Sequence, residues 1–320
     1  SINGQAIYEI INRIYPQLAG ERDYFKNAKV EFWSFPRLFW QLYGEQSSFI
    51  VEIKEDDNVY QYVINSIPAA DFEQQKDAEV LDEHRNFRFL DQVAYLKPGP
   101  FNTDASNSKQ IFRDFIDAAF RQINEKKTKT LIIDLRNNGG QIDSCSDYLI
   151  SYFATKPFKW YSKLSIKTSQ ELKDQTLLAS DPADVFYKAI LDHRNGETFD
   201  YSYDYAQPET GENKFTGKVY ILINRQTYSM AAVAAATIQD YNFGTLVGEE
   251  TGDIPTLYGS QFSYLLPNTG VKVKAPKAYI IRPNGDEKLE GVIPDILVKD
   301  HLLDEKDEIL DCLLQIVKAK

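Results

Sequence analysis

The feature that most restricts this chain is the run Thr130-Leu-Ile-Ile-Asp-Leu135, closed by Arg136-Asn-Asn-Gly-Gly140. An unbroken apolar run, rather than an alternating one, predicts a strand covered on both faces, as in a parallel sheet flanked by helices. Similar strands are predicted at Val93–Leu96, Lys218–Ile223 and Gly244–Gly248. Helical patterns fall between them. Ser108–Ile123 sets Ile111, Phe112, Phe115, Ala118, Ala119 and Ile123 on one face, and further helices are predicted over Ser144–Ala154, Ser229–Tyr241 and Asp304–Lys318. Strands alternating with helices argue for a layered α/β core. Two or three strands are expected around Gln261–Ile281, whereas Lys156–Gly217, polar and aromatic without a clear period, reads as an irregular excursion bearing part of a cleft.

Ahead of that core, residues 1–70 read as a small α+β unit. Ile7, Ile10, Ile11 and Ile14 follow a helical spacing, and Ser48–Ile53 and Val59–Ile64 form two strands across an acidic turn. Asp71–Arg85 is polar without apolar periodicity and reads as a linker. The predicted division is therefore 1–70, a linker over 71–88, and a main domain over 89–320. A length of 320 residues suits two domains, and 43% hydrophobic residues suffice for a full core.

Composition excludes some functions. With 36 Lys and Arg against 47 Asp and Glu, the formal charge is −11, a surface that repels phosphate backbones and argues against nucleic-acid binding. No apolar run approaches the roughly 20 residues that span a bilayer. The chain opens at Ser1 and its single methionine is Met230, so a natural N-terminus is expected to be missing. Cys145 and Cys312 lie far apart without metal-ligand spacing and read as semi-buried thiols. No metal motif is present, and no cofactor is implied.

Two segments carry chemistry. The first is strand, turn, Ser, helix: Tyr220–Thr227, then Tyr228-Ser-Met-Ala-Ala-Val-Ala-Ala-Ala236. A serine behind a buried strand and at a helix N-terminus can aim its Oγ into a cleft beside unspent backbone N–H groups. The same residue type is also a favoured helix N-cap, and this segment alone leaves both readings open. The second is Gly139-Gly140 at the end of the apolar strand. Glycines there let backbone approach a ligand and expose N–H donors, which could form an oxyanion hole or simply a tight turn.

Taken together, these blocks point to a family. Leu131–Gly140 resembles the most characteristic motif of the C-terminal processing peptidases, the superfamily of the bacterial tail-specific proteases, the tricorn core enzyme and the retinoid-binding interphotoreceptor repeats. Ser229 with its Ala-rich helix, Gln239-Asp-Tyr241 and Val247-Gly-Glu-Glu-Thr-Gly252 resembles the family's nucleophile block. Gly291-Val-Ile-Pro-Asp-Ile296 resembles its closing segment, and Ser1-Ile-Asn-Gly4 with Glu9-Ile10 is similar to the tail of a PDZ domain. The resemblance implies a ClpP/crotonase-like layered core with an N-terminal, partial PDZ-like α+β domain. It also implies a serine peptidase in which Ser229 is the nucleophile and the backbones of Gly139, Gly140 and Met230 form the oxyanion hole.

The general base departs from the family pattern. The tail-specific branch places a Lys downstream of the Ser inside Gly-Lys-Gly, where this chain has Gly252-Asp253-Ile254. The tricorn branch draws a His from a strand similar to Tyr95-Leu-Lys-Pro98, which puts Lys97 at that position. A Lys acts as a base only when its surroundings bring a pKa of about 10.4 down toward neutrality. Lys97 as base, and Lys97 as a solvated cation or carboxylate-binding group, both stand at this stage. His84, His193 and His301 sit in no recognisable arrangement and read as surface residues. Glu249, Glu250 and Glu290 lie in or beside the family motifs, where they could orient a base or bind a substrate amine, or simply be solvated loop charges.

Two functions of different class follow. One is an endopeptidase cleaving unfolded polypeptides or protein C-terminal regions through a Ser229 acyl-enzyme. The other is a family member that lost its base and binds peptides or ligands; binding of an apolar small molecule has fold analogy alone behind it. The resemblance suggests polypeptide partners and a periplasmic or cell-envelope location, and leaves oligomeric state open.

Overall fold

A computed structural model describes residues 1–79, 85–101, 108–140, 143–179, 184–301 and 304–319. The first 65 residues hold helices α1 (Ile7–Ile14), α2 (Asp23–Lys29) and α3 (Phe35–Tyr43), then an antiparallel hairpin of β1 (Ser48–Glu55) and β2 (Asn58–Asn65). Val30–Ser34, a π-helical turn, joins α2 to α3. Ile10, Ile14, Leu38 and Phe39 form this region's own small buried cluster.

Helix α4 (Ala69–Glu79) follows, covering most of the described part of the stretch read as a linker. Its Ala, Glu, Gln and Lys residues favour helix without supplying an apolar stripe, so a search for apolar periodicity passes over it.

The main domain runs β3 (Asn86–Leu90), β4 (Val93–Lys97), α5 (Ser108–Glu125), β5 (Thr130–Asp134), α6 (Asp143–Ser151), β6 (Lys163–Lys167), α7 (Gln170–Ala179), α8 (Val185–Asp192), β7 (Thr198–Asp200) and β8 (Lys218–Ile223). It continues α9 (Met230–Asp240), β9 (Thr245–Gly248), β10 (Leu257–Leu265), β11 (Lys272–Ile281), β12 (Ile296–Leu297) and α10 (Glu308–Lys318). Six strands form the central sheet in the order β12-β9-β8-β5-β4-β3, parallel except for the β3 edge.

The apolar runs explain this sheet directly. Leu131, Ile133, Ile221 and Ile223 enter one buried cluster with α5, α6 and α9, while the alternate residues Ile132, Tyr220 and Leu222 enter a second with α10. Opposite faces of each strand are thus both covered, as a continuous apolar run requires.

The described part of the excursion read as irregular contains two strands and two helices. Its β6 and β7 join β10 and β11 in a four-stranded antiparallel sheet of order β10-β11-β6-β7, backed by α7 and α8. Ile166 pairs with Ala278. Strand β10 likewise starts at Leu257, before the expected Gln261, and α10 starts at Glu308, where the Asp307 carboxylate caps Leu310 N–H at 2.9 Å.

Candidate active site

Parallel strands end together, and the site lies where β5 and β8 run out. Beyond β5, Leu135 N–H still donates to the Leu222 carbonyl at 2.9 Å before the chain turns at Asn137, whose φ is 53°. Beyond β8, Asn224–Tyr228 makes the turn into α9. The two turns are laced together. Thr227 Oγ1 donates to the Leu135 carbonyl at 2.9 Å, Asn137 N–H to Asn224 Oδ1 at 3.2 Å, and Asn224 Nδ2 to Asn137 Oδ1 at 2.9 Å. Tyr228 N–H closes on the Asn138 carbonyl at 3.0 Å. The loop after β4 joins as well: Asn138 Nδ2 donates to the Gly99 carbonyl at 2.8 Å and Phe101 N–H to the Gly139 carbonyl at 3.2 Å.

This lacing holds Ser229 opposite the paired glycines. Its Oγ donates to the Gly140 carbonyl at 2.8 Å, and the side chain is half-buried. Ser229 has φ 53° and ψ −130°, a region costly for any residue with a Cβ, and its side chain makes no capping bond to α9. The N-cap reading therefore does not describe this serine: its hydroxyl is turned away from the helix and toward the glycine loop. Ala231–Ile238 of α9 is buried throughout, so small side chains let the helix sit close to the sheet.

The glycines are close-fitting. Gly140 has φ 116°, and a Cβ there would fall 2.6 Å from the Phe101 backbone; at Gly139 it would collide with the Tyr228 ring. The Gly140 carbonyl also accepts Met230 N–H at 3.2 Å. Ser229, Gly139, Gly140 and Met230 thus come together, but with the Gly140 oxygen between the hydroxyl and the Met230 amide.

Asp253 completes the immediate surroundings. Its Oδ2 accepts Ser229 N–H at 3.0 Å and its Oδ1 accepts Ile254 N–H at 3.0 Å. Burial pushes this carboxyl up and Glu21 adds to the shift; the two N–H donors and Lys29 oppose them without cancelling it. Ser229 and Asp253 open on a cavity of about 450 Å³ that is also lined by the apolar side chains of Trp160, Leu164, Ile166, Phe186, Leu257 and Ile280. Apart from Trp160, these residues come from the four-stranded sheet and from α8.

Other candidates lie elsewhere. Lys97 ends β4, partly buried, and is not among the residues lining the Ser229 cavity. His193 is stacked on Phe199 at 3.7 Å with Nδ1 2.7 Å from the Ala189 carbonyl, and His301 is an exposed neighbour of Asp304. His84 falls outside the described residues. Glu249 and Glu31 share Arg225; Glu250 binds Arg22 and accepts Gly291 N–H at 2.8 Å; Glu290 is exposed. Cys145 is buried and Cys312 half-buried. Among the described residues no helix is long and apolar enough to cross a membrane.

The first 70 residues also reach this region. Gln226 Nε2 donates to the Ala28 carbonyl at 2.7 Å, Trp33 packs on Tyr228 with ring centroids 5.9 Å apart, and Tyr24 Oη donates to the Glu250 carbonyl at 3.0 Å. Sequence reasoning had not placed residues 21–33 beside the nucleophile turn. Nor had it given Asp253 a role, although an acidic residue standing in the family's lysine slot was a usable signal.

Residues 92–298, well over half of the chain, match the family model described as peptidase family S41. The chain belongs to peptidase family S41. It is accordingly a serine-type peptidase of the C-terminal processing protease family, with a mixed α/β fold. Among solved structures it is similar to mature CPAF, with 14% identity, a TM-score of 0.63, and coverage of 93% of this chain and 71% of that one. The mature CPAF complex with lactacystin gives 14% identity and a TM-score of 0.60 over 92% of this chain and 72% of the other. A putative peptidase from Parabacteroides merdae aligns over 98% of this chain and 89% of its own, at 17% identity and a TM-score of 0.49. For this S41 chain the likeness to CPAF concerns the fold.

Proposed function

We propose that this S41 chain is an endopeptidase cleaving unfolded polypeptides or protein C-terminal regions through an acyl-enzyme on Ser229. The observation that carries the reading is the Ser229 hydroxyl, half-buried, turned off its helix and 2.8 Å from the backbone of the glycine loop at the mouth of a large cavity. In this reading Ser229 Oγ attacks the scissile carbonyl carbon while its proton passes to a base, for which Lys97 is the candidate. The C–N bond then breaks as the amine takes that proton, and water releases the acyl group from Oγ. Met230 N–H and the amides of Gly139 and Gly140 hold the oxyanion. For that to happen the substrate carbonyl must displace the Gly140 oxygen, a rotation that the Cβ-free backbone of residue 140 permits. The apolar residues of the lining suit an apolar side chain next to the scissile bond. An envelope location and a PDZ-like unit over 1–70 belong to the same proposal.

The test is cleavage of a denatured protein such as casein. Ser229→Ala is expected to abolish it without moving the melting temperature, and persistent cleavage moves the nucleophile elsewhere. Lys97→Ala is expected to remove cleavage but keep binding. One observation favours the alternative, a peptide-binding member without turnover: the hydroxyl donates to a carbonyl, which cannot activate it. Rapid stoichiometric labelling of Ser229 by a fluorophosphonate rules that alternative out.

A further inference from the structure

We propose that Asp253 is a positioning residue for the nucleophile: its carboxylate holds Ser229 in the backbone conformation that presents the hydroxyl to the glycine loop. The inference rests on Ser229 being the nucleophile and assigns a role that no family pattern supplies, since the slot is lysine in the tail-specific branch.

The argument starts from what a serine at the head of a helix does unaided. It relaxes to extended backbone and turns Oγ back to accept an N–H of the first turn, which is the preferred N-cap geometry. Here Ser229 is at φ 53° and ψ −130° and makes no such bond. A conformation of this kind costs about 1–3 kcal/mol and persists only where its surroundings impose it. On the Oγ side the Gly140 carbonyl holds the hydroxyl at 2.8 Å; on the backbone side the Asp253 carboxylate holds N–H at 3.0 Å. A charge-assisted bond of that kind is about twice as strong as a neutral one. Asp253 is itself fixed, because its second oxygen takes Ile254 N–H and the Thr251 hydroxyl donates to its carbonyl at 2.8 Å. The carboxylate lines the same cavity as Ser229.

The charged groups facing Asp253 are Glu21 and Lys29, from the segment that packs over the nucleophile turn. Lys29 is bound to the Ala19 carbonyl at 2.7 Å and lies over the Phe25 ring at 4.1 Å, so it acts on Asp253 through space rather than as an ion-pair partner. The two N–H donors favour the ionised form of Asp253 against its burial. Protonation removes the charge that makes the Ser229 bond strong, and activity is expected to fall as pH drops through a carboxyl pKa above the ordinary range. Stability runs the other way. A carboxyl whose pKa is raised by folding holds its proton more tightly in the native state, so its contribution to stability grows as pH falls through that window. A merely structural aspartate of depressed pKa would lose stability and activity together.

The experiment measures the rate of Ser229 labelling by a fluorophosphonate, and peptide kcat and KM, against pH for the wild type and for Asp253→Asn. Asp253→Ser is added in case the Asn variant does not fold. Misplacing the hydroxyl is expected to cut labelling and kcat by about 100-fold with KM nearly unchanged. The part of the acid limb that Asp253 contributes is expected to disappear in either variant, because neither side chain titrates, leaving only the limb of the general base. Wild-type labelling speed with the acid limb intact in a folded variant overturns the proposal. If Ser229→Ala still cleaves, or the wild type never labels, the nucleophile assignment fails and this inference with it. If Ser229→Ala is dead while Asp253→Asn labels normally, only this inference fails.

Discussion

Two carboxylates beside the central sheet, Asp134 buried and Asp253 part-buried at the Ser229 cavity, behave oppositely. Asp134, at the end of β5, is met by Tyr95 Oη at 2.5 Å and by the Arg136 guanidinium at 2.8 Å. Burial alone would push its carboxyl up; Arg136 and the hydrogen bonds outweigh that and hold it below the usual carboxylate range. Arg136 in turn binds Asp307 at 2.6 Å, tying the signature loop to the cap of α10. Asp253, in the loop between β9 and β10, has backbone N–H groups in place of a guanidinium, and its carboxyl is pushed up. A buried charge matched by a cation is a strut, whereas one matched only by amides stays sensitive to its surroundings. The first fits a fastening of the fold, the second a group that acts at the site.

The sharpest way to break this contrast begins on the activity side. Gly140→Ala is expected to lose about 100–1,000-fold in cleavage rate, the scale of losing one oxyanion donor, because a Cβ 2.6 Å from the Phe101 backbone blocks the rotation that clears the Gly140 oxygen. Steady-state kinetics on unfolded casein check it, and a variant at wild-type rate would mean that residue 140 need not move.

On the stability side, Arg136→Ala leaves Asp134 buried without its cation and is expected to cost about 3–5 kcal/mol in denaturant unfolding. An Arg136→Ala variant losing less than Asp253→Asn would reverse the comparison. Asp307→Ala removes a helix cap and the outer, more exposed half of the Arg136 pair, so a smaller loss of about 1–2 kcal/mol is expected from the same titration. The smallest effect is expected from Arg22→Ala. Its pair with Glu250 lies at the rim, part-exposed on both partners, and about 1 kcal/mol or less of stability is at stake. A much larger loss there would show that the first 70 residues are fastened to the nucleophile turn more tightly than a rim pair allows.

Much of the central sheet was legible because its strands are apolar on both faces. Lys218–Ile223 is predicted and found with identical ends, and the strand ahead of Arg136 differs by one residue. The second sheet was not legible. β6 pairs with β11 across a long intervening stretch, and a half-buried strand such as Lys163–Lys167 is too short to show its alternation against aromatic neighbours. Helix α4 escaped for the opposite reason, since propensity without an apolar face leaves no periodic signal.

The amino-acid sequence alone determined the α/β class, the two covered strands, the paired glycines and the serine at the head of an alanine-rich helix. Each of these depends on side chains within a few residues of one another, so local pattern suffices to find them. Only the folded chain decided that Ser229 abandons the capping geometry, that the Gly140 oxygen rather than an N–H faces it, and that Asp253 holds its backbone. Those facts arise from hydrogen bonds between the ends of different strands, and which ends meet is decided by how the sheet orders its strands.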